Sequence, residues 1–349
     1  MAYNIALQFE DGVTRIVQCE PDELVCDAAY GAKINIPLDC RDGACGTCKC
    51  RCESGEYEMG VYIEDALTED EAAQGYVLTC QMRPKSDCVV RVPASAAACK
   101  TEVGSHGGRV TEIARDSSTT VSFSLQADRP LSFLPGQYVN LQVPGSKETR
   151  SYSFSSAPNQ TELSFLIRDV PDGLMSTYMR SKANTGDFMM FTGPYGSFYL
   201  RPTIRPILML AGGTGLAPFL SMMLWLKDNP TNQPILLAYG VNTNDDLVEL
   251  GTLAELKAVM PNFDYFTVVV DKESGHPRIG YVTDHLAPGQ LNGGEIDVYV
   301  CGPPPMVEGV RKWMAGVGVT PKNYLFEKFS SANCSAITPC IFAINSQSF

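Results

Sequence analysis

Histidine is scarce in this sequence, and its scarcity excludes several kinds of metal chemistry. The 349 residues include only His106, His276 and His285, and none of the three lies near a group of cysteines. A Rieske centre needs two histidines beside two cysteines, and a mononuclear iron site needs two more with a carboxylate. The chain is therefore not expected to hold either centre, and its histidines are predicted to be surface or loop residues.

Basic residues are few as well. The chain has 27 Lys and Arg against 39 Asp and Glu, which gives a formal net charge of −12. Nucleic acids and anionic membranes require clustered Lys and Arg, so neither is an expected partner. The deficit is concentrated in residues 1–98, which contain 17 acidic and 8 basic residues. The N-terminal quarter is predicted to be an acidic module.

An unbroken apolar segment of membrane-spanning length is also missing. The run 207–226 is uncharged, but three glycines and Pro218 would break a membrane helix, so a strand, a loop and a helix are predicted there. The first residues, Met1–Phe9, lack a secretory leader pattern. Because ten of the 13 cysteines precede residue 100 in a chain without such a leader, a secreted disulfide scaffold is not expected. The predicted location is cytoplasmic.

Length and pattern predict several domains. At roughly 150 residues per domain, the chain has room for two or three. Residues 109–204 show a period of two, as in Val121–Leu125 and Val139–Val143, which favours a small antiparallel barrel. Residues 205–349 alternate apolar strands with helical stretches, which favours a parallel sheet covered on both faces. The small, Gly-rich residues 99–108 are predicted to be a linker.

Four cysteines of the acidic module have the spacing of an iron–sulfur site. Cys40, Cys45 and Cys48 form C-x4-C-x2-C, and Cys80 follows in Leu-Thr-Cys. This is the plant-type ferredoxin spacing for a 2Fe-2S cluster, whose two irons need four thiolates. The intervening residues are small or polar, as expected where the backbone wraps closely around cluster sulfurs. The four cysteines are therefore predicted to be the metal ligands.

Two other interpretations of these cysteines are weaker. A structural zinc site more often uses two C-x2-C pairs. A thioredoxin-like redox pair at Cys45 and Cys48 would need a neighbouring βαβ unit, which the pattern does not show. Six further cysteines of this region are predicted to be small packed hydrophobes: Cys19, Cys26, Cys50, Cys52, Cys88 and Cys99.

Two short segments of the barrel region suit a ligand that carries a ring and a phosphate. Arg150-Ser151-Tyr152-Ser153 ends a predicted strand and supplies a guanidinium, a flat aromatic face and a hydroxyl. About 20 residues later, Gly173 precedes a predicted helix over residues 174–182, whose free amides suit a phosphate. Each segment alone is weak evidence. Their pairing within a barrel, ahead of a parallel sheet, predicts the ligand site.

The parallel-sheet region has two glycine-containing strings of its own. Gly212-Gly213-Thr214-Gly215 follows an apolar strand, and its glycines let the backbone approach a pyrophosphate ahead of a helix opened by Pro218. Cys301-Gly302-Pro303 follows what is predicted to be the last strand, at the carboxyl edge where open α/β sheets bind ligands. After the second strand, Asp245 and Asp246 would repel a 2′-phosphate, so NADH is predicted over NADPH.

The paired barrel segments resemble the FAD-binding domain of the ferredoxin-NADP reductase family, and the two glycine strings resemble its NAD(P)-binding half. With the cysteine spacing, the order of modules is similar to that of the reductase components of bacterial ring-hydroxylating dioxygenase systems, most closely the benzoate 1,2-dioxygenase reductase group. The resemblance covers nearly the whole chain. It implies an α+β ferredoxin (β-grasp) domain over residues 1–98, an antiparallel flavin barrel over 109–204 and an α/β nicotinamide domain over 205–349.

The resemblance also implies cofactors, a partner and site residues. The implied cofactors are a 2Fe-2S cluster, FAD and NADH, with hydride transfer to the flavin followed by single-electron steps through the cluster. The implied acceptor is a terminal oxygenase component, expected to be a Rieske-type non-haem iron protein. Ser153 and Cys301 are implied as catalytic residues. The implied cofactor-binding residues are Arg150, Ser151, Tyr152, Ser153, Ile167, Gly173, Met175, Ser176, Thr177, Gly212, Gly213, Thr214, Gly215, Asp246, Cys301, Gly302, Pro303 and Phe329.

Two departures from the family pattern and two alternative functions stay open. Family members end on an aromatic residue that covers the flavin, whereas 20 residues follow Glu327-Lys328-Phe329 here, so Phe329 or the tail 330–349 takes that place. Ser151 replaces the commoner proline. The reductase of a soluble methane or phenol hydroxylase has the same domain order. A redox-sensing subunit without turnover is the other alternative, and an NADH-dependent diaphorase assay separates it from an enzyme.

Overall fold

The computed structural model of the protein describes residues 2–38, 40–44, 46–100 and 104–329. The secondary structure falls into three successive blocks, each built on its own main sheet. No helix among these described residues is both long and apolar enough to cross a membrane. The run 207–226 forms a strand, a turn and a helix, as its glycines and proline predict.

The N-terminal block is an α+β domain. Its mixed sheet has the strand order β2-β1-β7-β3-β5, with β1 and β7 parallel, and β4 pairs separately with β6. Alternate side chains of β1, namely Ile5, Leu7 and Phe9, are buried in its core. The elements are β1 (Tyr3–Phe9), β2 (Thr14–Cys19), α1 (Val25–Gly31), β3 (Lys49–Ser54), β4 (Tyr57–Met59), α2 (Glu69–Ala73), β5 (Tyr76–Leu78), β6 (Met82–Pro84) and β7 (Cys88–Val92).

The middle block is an antiparallel barrel. Its strand order is β11-β10-β13-β8-β9-β12, and a bridge between Phe154 and Phe165 brings the two edges of the sheet together. The alternating residues Val121, Phe123 and Leu125 are buried inside it, as their period of two predicts. The elements are β8 (Gly104–Arg115), β9 (Thr120–Leu131), β10 (Tyr138–Gln142), β11 (Thr149–Ser153), β12 (Gln160–Arg168), α3 (Leu174–Ser181) and β13 (Phe188–Tyr195).

The C-terminal block is a parallel sheet with the order β16-β15-β14-β17-β18. Residues of β14 alternate between two apolar cores, with Met209 and Ala211 on one face and Leu208 and Leu210 on the other. Both faces are therefore covered, as the unbroken apolar strands predict. The elements are β14 (Ile207–Gly212), α4 (Ala217–Asp228), β15 (Ile235–Val241), α5 (Leu250–Val259), β16 (Phe263–Val269), β17 (Asp297–Gly302), α6 (Pro304–Val317) and β18 (Asn323–Lys328).

The structure differs from the sequence-based predictions at two places. Residues 104–108, predicted as part of the linker, belong to β8 and pair with β13. These glycines suit a strand here because the ring of Phe188 lies over Gly107, where a Cβ atom would approach it to 2.4 Å. The strand β17 is also not the last, since β18 extends the sheet beyond it. Because β18 is an edge strand whose side chains are half-buried or, at Phe326, exposed, its apolar run is limited to Tyr324–Phe326 and is shorter than those that identified its neighbours.

Candidate cofactor sites

Three of the four predicted metal ligands converge in the N-terminal domain. The Sγ atoms of Cys48 and Cys80 lie 3.2 Å apart. The Cys80 thiol also contacts that of Cys40, and hydrogen bonding to these two neighbours raises its pKa. The backbone N–H of Ala44 points at Cys40 Sγ at 3.4 Å. Cys45, the fourth predicted ligand, lies outside the described residues. The described donor set, sulfur atoms with a nearby amide donor, fits a 2Fe-2S cluster.

The loop that carries these cysteines is closely wrapped. Gly43 has a φ of +81°, and a Cβ atom there would lie 2.6 Å from the carbonyl oxygen of Val61. A side chain at this position would therefore strain the backbone and collide with the segment that packs on the loop. Ile63 N–H donates to the Gly43 carbonyl at 3.2 Å, which fixes the same contact.

The remaining cysteines of this domain lie in or near its core. Cys19, Cys26, Cys50, Cys88 and Cys99 are buried, and Cys52 is half-buried on β3. Burial raises the pKa of the Cys19, Cys26 and Cys99 thiols to about 12. Such thiols stay protonated at neutral pH and behave as small apolar groups, as predicted.

The predicted flavin segment ends β11 with its side chains in different settings. Arg150 is near the surface, where its guanidinium donates to the Thr149 carbonyl at 2.7 Å. Ser151 is exposed and donates to Asn140 Oδ1 at 2.7 Å. The Tyr152 ring packs against the barrel core and Ser153 is buried. The end of β11 thus places the Arg150 guanidinium near the protein surface and the Ser153 hydroxyl in the interior.

The helix α3 begins as predicted, after Gly173, and no side chain caps its first turn. The hydroxyl of Ser176 is engaged within the protein, because it accepts from Val170 N–H at 2.9 Å and so ties the helix to the end of β12. Met175 and Ile167 are buried in the barrel core, whereas Thr177 is exposed. The part of this segment that suits a phosphate is therefore the backbone of the first turn.

The nucleotide strings lie side by side at the carboxyl edge of the parallel sheet. Ala211 pairs with Cys301, so the string Gly212–Gly215 after β14 adjoins Gly302 and Pro303 after β17. A Cβ atom at Gly215 would lie 2.4 Å from the Cys301 carbonyl oxygen, so only glycine fits this approach. The edge is the place where the strand order reverses, which is where doubly wound sheets bind nucleotides.

A carboxylate that the sequence analysis did not single out joins the two predicted catalytic residues. Glu327, near the end of β18, lies with Oε2 3.2 Å from Ser153 Oγ and 4.0 Å from Cys301 Sγ. Burial, and then the Glu327 carboxylate, raise the pKa of the Cys301 thiol. Phe329 follows, and its N–H donates to the Gly302 carbonyl at 2.9 Å. The barrel and the nucleotide edge therefore meet at these four residues. The predicted alternative cover, the tail 330–349, lies outside the described residues.

Asp246, predicted to contact the nucleotide, is hydrogen-bonded within the protein. Its Oδ2 accepts from Thr243 N–H at 3.0 Å and from Thr243 Oγ1 at 2.8 Å, and its Oδ1 accepts from Thr119 of the barrel. Asp245 Oδ2 accepts from Ser118 N–H at 2.9 Å. Both carboxylates thus fasten the parallel-sheet domain to the barrel. The negative charge remains at the edge, but these bonds already engage both oxygens of Asp246.

Arg201, which follows β13, contacts all three domains. Its buried guanidinium pairs with Glu10 of the N-terminal domain, with Nε 2.8 Å from Oε2, and also donates to the Pro93 carbonyl at 3.1 Å. It stacks over the Tyr199 ring at 3.6 Å. Its backbone N–H donates to the Tyr299 hydroxyl of the parallel sheet at 2.9 Å. The side chain therefore holds the N-terminal domain against the other two.

A cleft of about 140 Å³ separates the cysteine loop from the barrel. Leu38 and Arg41 line it on the loop side, and Gln137, Tyr195 and Gly196 line it on the barrel side. Cys40 lies in the same loop, between Leu38 and Arg41. The loop of the predicted metal ligands thus faces the barrel that carries the predicted flavin segment.

Family comparisons assign the three domains. Residues 8–85 match the 2Fe-2S iron-sulfur cluster binding domain, residues 108–199 the oxidoreductase FAD-binding domain and residues 209–312 the oxidoreductase NAD-binding domain. These matches confirm the predicted cofactor classes and the multidomain fold. The protein is an iron–sulfur flavoprotein reductase with a nicotinamide-nucleotide domain.

Similar proteins identify the family within this class of reductases. The chain is 51% identical over 335 residues to the toluate 1,2-dioxygenase electron transfer component of Pseudomonas putida, covering 95% of this chain and 100% of that protein. It is 52% identical over 334 residues to the 2-halobenzoate 1,2-dioxygenase electron transfer component of Burkholderia cepacia, covering 95% and 98%. A solved structure, the cytochrome P450 reductase GcoB of Amycolatopsis, matches with a TM-score of 0.72 and 32% identity over 94% of this chain and 99% of that one. The chain belongs to the family of reductase, or electron transfer, components of aromatic-ring dioxygenases.

Proposed function

We propose that this protein takes electrons from NADH and delivers them, through FAD and a 2Fe-2S cluster, to the terminal oxygenase of a benzoate-type 1,2-dioxygenase system, a Rieske-type non-haem iron protein. The observation that carries the proposal is the order of contacts within one chain. The nucleotide edge meets the barrel at Ser153 and Cys301, and the barrel faces the cysteine loop across the cleft. The two relatives above 50% identity support the benzoate-type partner.

The cluster is proposed to be held by Cys40, Cys45, Cys48 and Cys80. The contacts among the three described sulfurs support this assignment. The amide of Ala44, directed at Cys40 Sγ, is suited to stabilise negative charge on a ligand sulfur.

The flavin is proposed to bind at the end of β11 and the start of α3. Arg150 and the uncapped first turn of α3 would hold its pyrophosphate, and Tyr152 would contact its rings. The Ser153 hydroxyl, which donates to Glu327 in this structure, would turn its proton to a ring heteroatom when FAD is bound. When bound, FAD supplies the conversion between hydride transfer and one-electron transfer. Ile167, Met175 and Ser176 would contribute through backbone and packing, because their side chains are engaged in the barrel.

The nicotinamide nucleotide is proposed to bind along Gly212–Gly215 and Gly302–Pro303, with Phe329 at the same edge. The Glu327 carboxylate positions the Ser153 hydroxyl and lies beside the Cys301 thiol. These groups line the place where the two rings must stack, so they act on hydride transfer rather than on the cluster. A preference for NADH is supported by the acidic residues after β15 and by the lack of Lys and Arg there.

NADH-driven oxygenation with purified terminal oxygenases tests the function. Two smaller electron acceptors test the two halves of the electron path separately, since ferricyanide takes electrons from the flavin directly and cytochrome c takes them from the cluster. Glu327→Gln is expected to lower turnover with both acceptors equally, because it alters the hydride step. Cys48→Ser is expected to lower turnover with cytochrome c alone. Reduction of no benzoate-type oxygenase, with both small-acceptor activities intact, would contradict the proposed partner.

We also propose a cytoplasmic location. None of the ten described cysteines forms a disulfide, and most of them are buried, which suits a reducing compartment. A fractionation of cells that express the protein, followed by immunoblotting, tests this proposal.

A further inference from the structure

Val61, Tyr62 and Ile63 form an exposed apolar patch between β4 and α2. Val61 is 83% exposed and Ile63 49%, while Tyr62 is half-buried. Single exposed apolar residues are ordinary, whereas exposed apolar residues that adjoin one another favour a surface that binds a partner. The described contacts of this segment explain its backbone position and leave the Val61 and Ile63 side chains facing solvent.

Hydrogen bonds hold the apolar patch against the loop that carries Cys40 and Cys48, called here the cluster loop. Ile63 N–H donates to the Gly43 carbonyl at 3.2 Å, and Gly43 has no room for a side chain because Val61 lies against it. Gly60 N–H donates at 2.7 Å to the carbonyl of Gln81, the residue after Cys80, and Gln81 Nε2 donates to the Arg41 carbonyl at 3.3 Å. A partner seated on the patch would therefore rest directly beside the metal ligands. Electron transfer weakens steeply with distance, so this position favours an electron acceptor.

An acidic rim borders the apolar patch. Glu64 and Asp65 follow it directly, and Glu69 and Asp70 open α2 a few residues later. All four are exposed, and none of their carboxylates forms an ion pair with another residue of the described part of the chain. Lys328 Nζ donates to the backbone carbonyl of Asp65 at 3.3 Å, so the charges of Glu64, Glu69 and Asp70 are the ones most available to a partner. An apolar centre with a polar rim is the usual anatomy of a protein interface, and an acidic rim selects a basic surface.

We propose that the apolar patch and its acidic rim are the docking surface for the electron-accepting oxygenase, which would present an apolar centre bordered by Lys and Arg. The inference rests on the proposed function and adds the surface that it uses. Electrons would then enter and leave the cluster on opposite sides of the cluster loop. Leu38 faces the barrel across the cleft, where electrons arrive, and Gly43 lies beneath the apolar patch, where they leave.

The test compares two sets of exposed apolar residues on the same domain. The double variant Val61→Ser, Ile63→Ser is expected to raise the KM for the purified oxygenase roughly tenfold, as loss of a central apolar contact does in protein interfaces. Its NADH–ferricyanide rate and its reduced-cluster EPR signal should not change. The control is Ile16→Ser, which removes a 68% exposed apolar side chain from β2 and should leave the KM unaltered. The variant Glu64→Gln, Asp65→Asn should flatten the salt dependence of kcat/KM for the oxygenase.

Two results would overturn the docking surface. One is an unchanged KM in the double variant while the unmodified protein reduces the oxygenase normally. The other is sedimentation showing that the unmodified protein is a dimer and the double variant a monomer, since the patch would then bind a second copy of this chain. If the unmodified protein reduces no oxygenase, the proposed function fails and this inference fails with it.

Discussion

The contact between Arg201 and Glu10 should control electron flow between the flavin and the cluster. The pair joins the barrel to the N-terminal domain. The Arg201 side chain is buried, whereas the Glu10 side chain is 33% exposed. Glu10→Gln keeps the shape of the side chain and removes its charge. Arg201→Ala removes the guanidinium together with its bond to the Pro93 carbonyl. The two variants therefore weaken the same contact to different degrees.

The magnitudes follow from the geometry. Hydrogen bonds to charged groups contribute about 1.5–3 kcal/mol and neutral ones about 0.5–1.5 kcal/mol, so Glu10→Gln should cost about 1 kcal/mol at this partly exposed site. That weakens docking of the N-terminal domain about fivefold, at 1.4 kcal/mol per factor of ten. Arg201→Ala removes the charged pair with Glu10, the bond to the Pro93 carbonyl and the stacking on Tyr199, which together should cost about 3 kcal/mol and weaken docking roughly 100-fold.

The assay is the ratio of cytochrome c turnover to ferricyanide turnover with NADH. The ratio should fall modestly in Glu10→Gln and steeply in Arg201→Ala, with ferricyanide turnover and bound FAD preserved. Glu295→Gln is the matched control, because its pair with Lys322 is exposed and lies within one domain. If both variants kept the ratio of the control, the pair between Arg201 and Glu10 would have no part in positioning the cluster, and the reasoning would be refuted.

Three further predictions concern the cluster, the nucleotide and the domains. Cys48→Ser should abolish the EPR signal of the reduced cluster, whereas Cys50→Ala, in the core of the same domain, should leave it; a signal retained in Cys48→Ser would remove this residue from the ligand set. Asn242→Arg adds a cation at an exposed position after β15 without disturbing the bonds of Asp246, and should favour NADPH by about 1–3 kcal/mol in the ratio of kcat/KM values. An unchanged ratio would mean that the ribose binds elsewhere. A fragment of residues 104–349 should keep FAD and ferricyanide turnover and lose cytochrome c turnover, and a fragment that lost FAD would show that the barrel depends on the N-terminal domain.

The fold was predictable where local pattern and burial agree. The strands β14, β15 and β17 are continuous apolar runs because both faces of the parallel sheet are covered, and such runs stand out in a sequence. The start of β8 was not predictable in this way. Residues 104–108 have the composition of a linker. Their pairing with β13 is accompanied by packing of the Phe188 ring over Gly107, a contact that the sequence does not show.

The candidate sites divide in the same manner. The proposed cysteine ligands were predicted from spacing alone, because a cluster fixes the separation of its ligands along the chain. Glu327 was missed because it meets Ser153 across 174 residues of sequence. The acidity near Asp246 was evident, but a charge in a sequence does not show what it bonds to, and here it bonds to Thr243 and Thr119.

Tyr199 lies in the sequence of the barrel block but in the core of the N-terminal domain. Its ring belongs to that domain's apolar cluster, and its hydroxyl accepts from Ser95 N–H at 2.8 Å. The ferredoxin module is therefore not an interchangeable part. A chimera that replaced residues 1–98 with another ferredoxin would need a cavity of matching shape for the Tyr199 ring. The same module expressed alone would leave that cavity open. Successful exchanges among such reductases should accordingly carry the module and the residues around Tyr199 together.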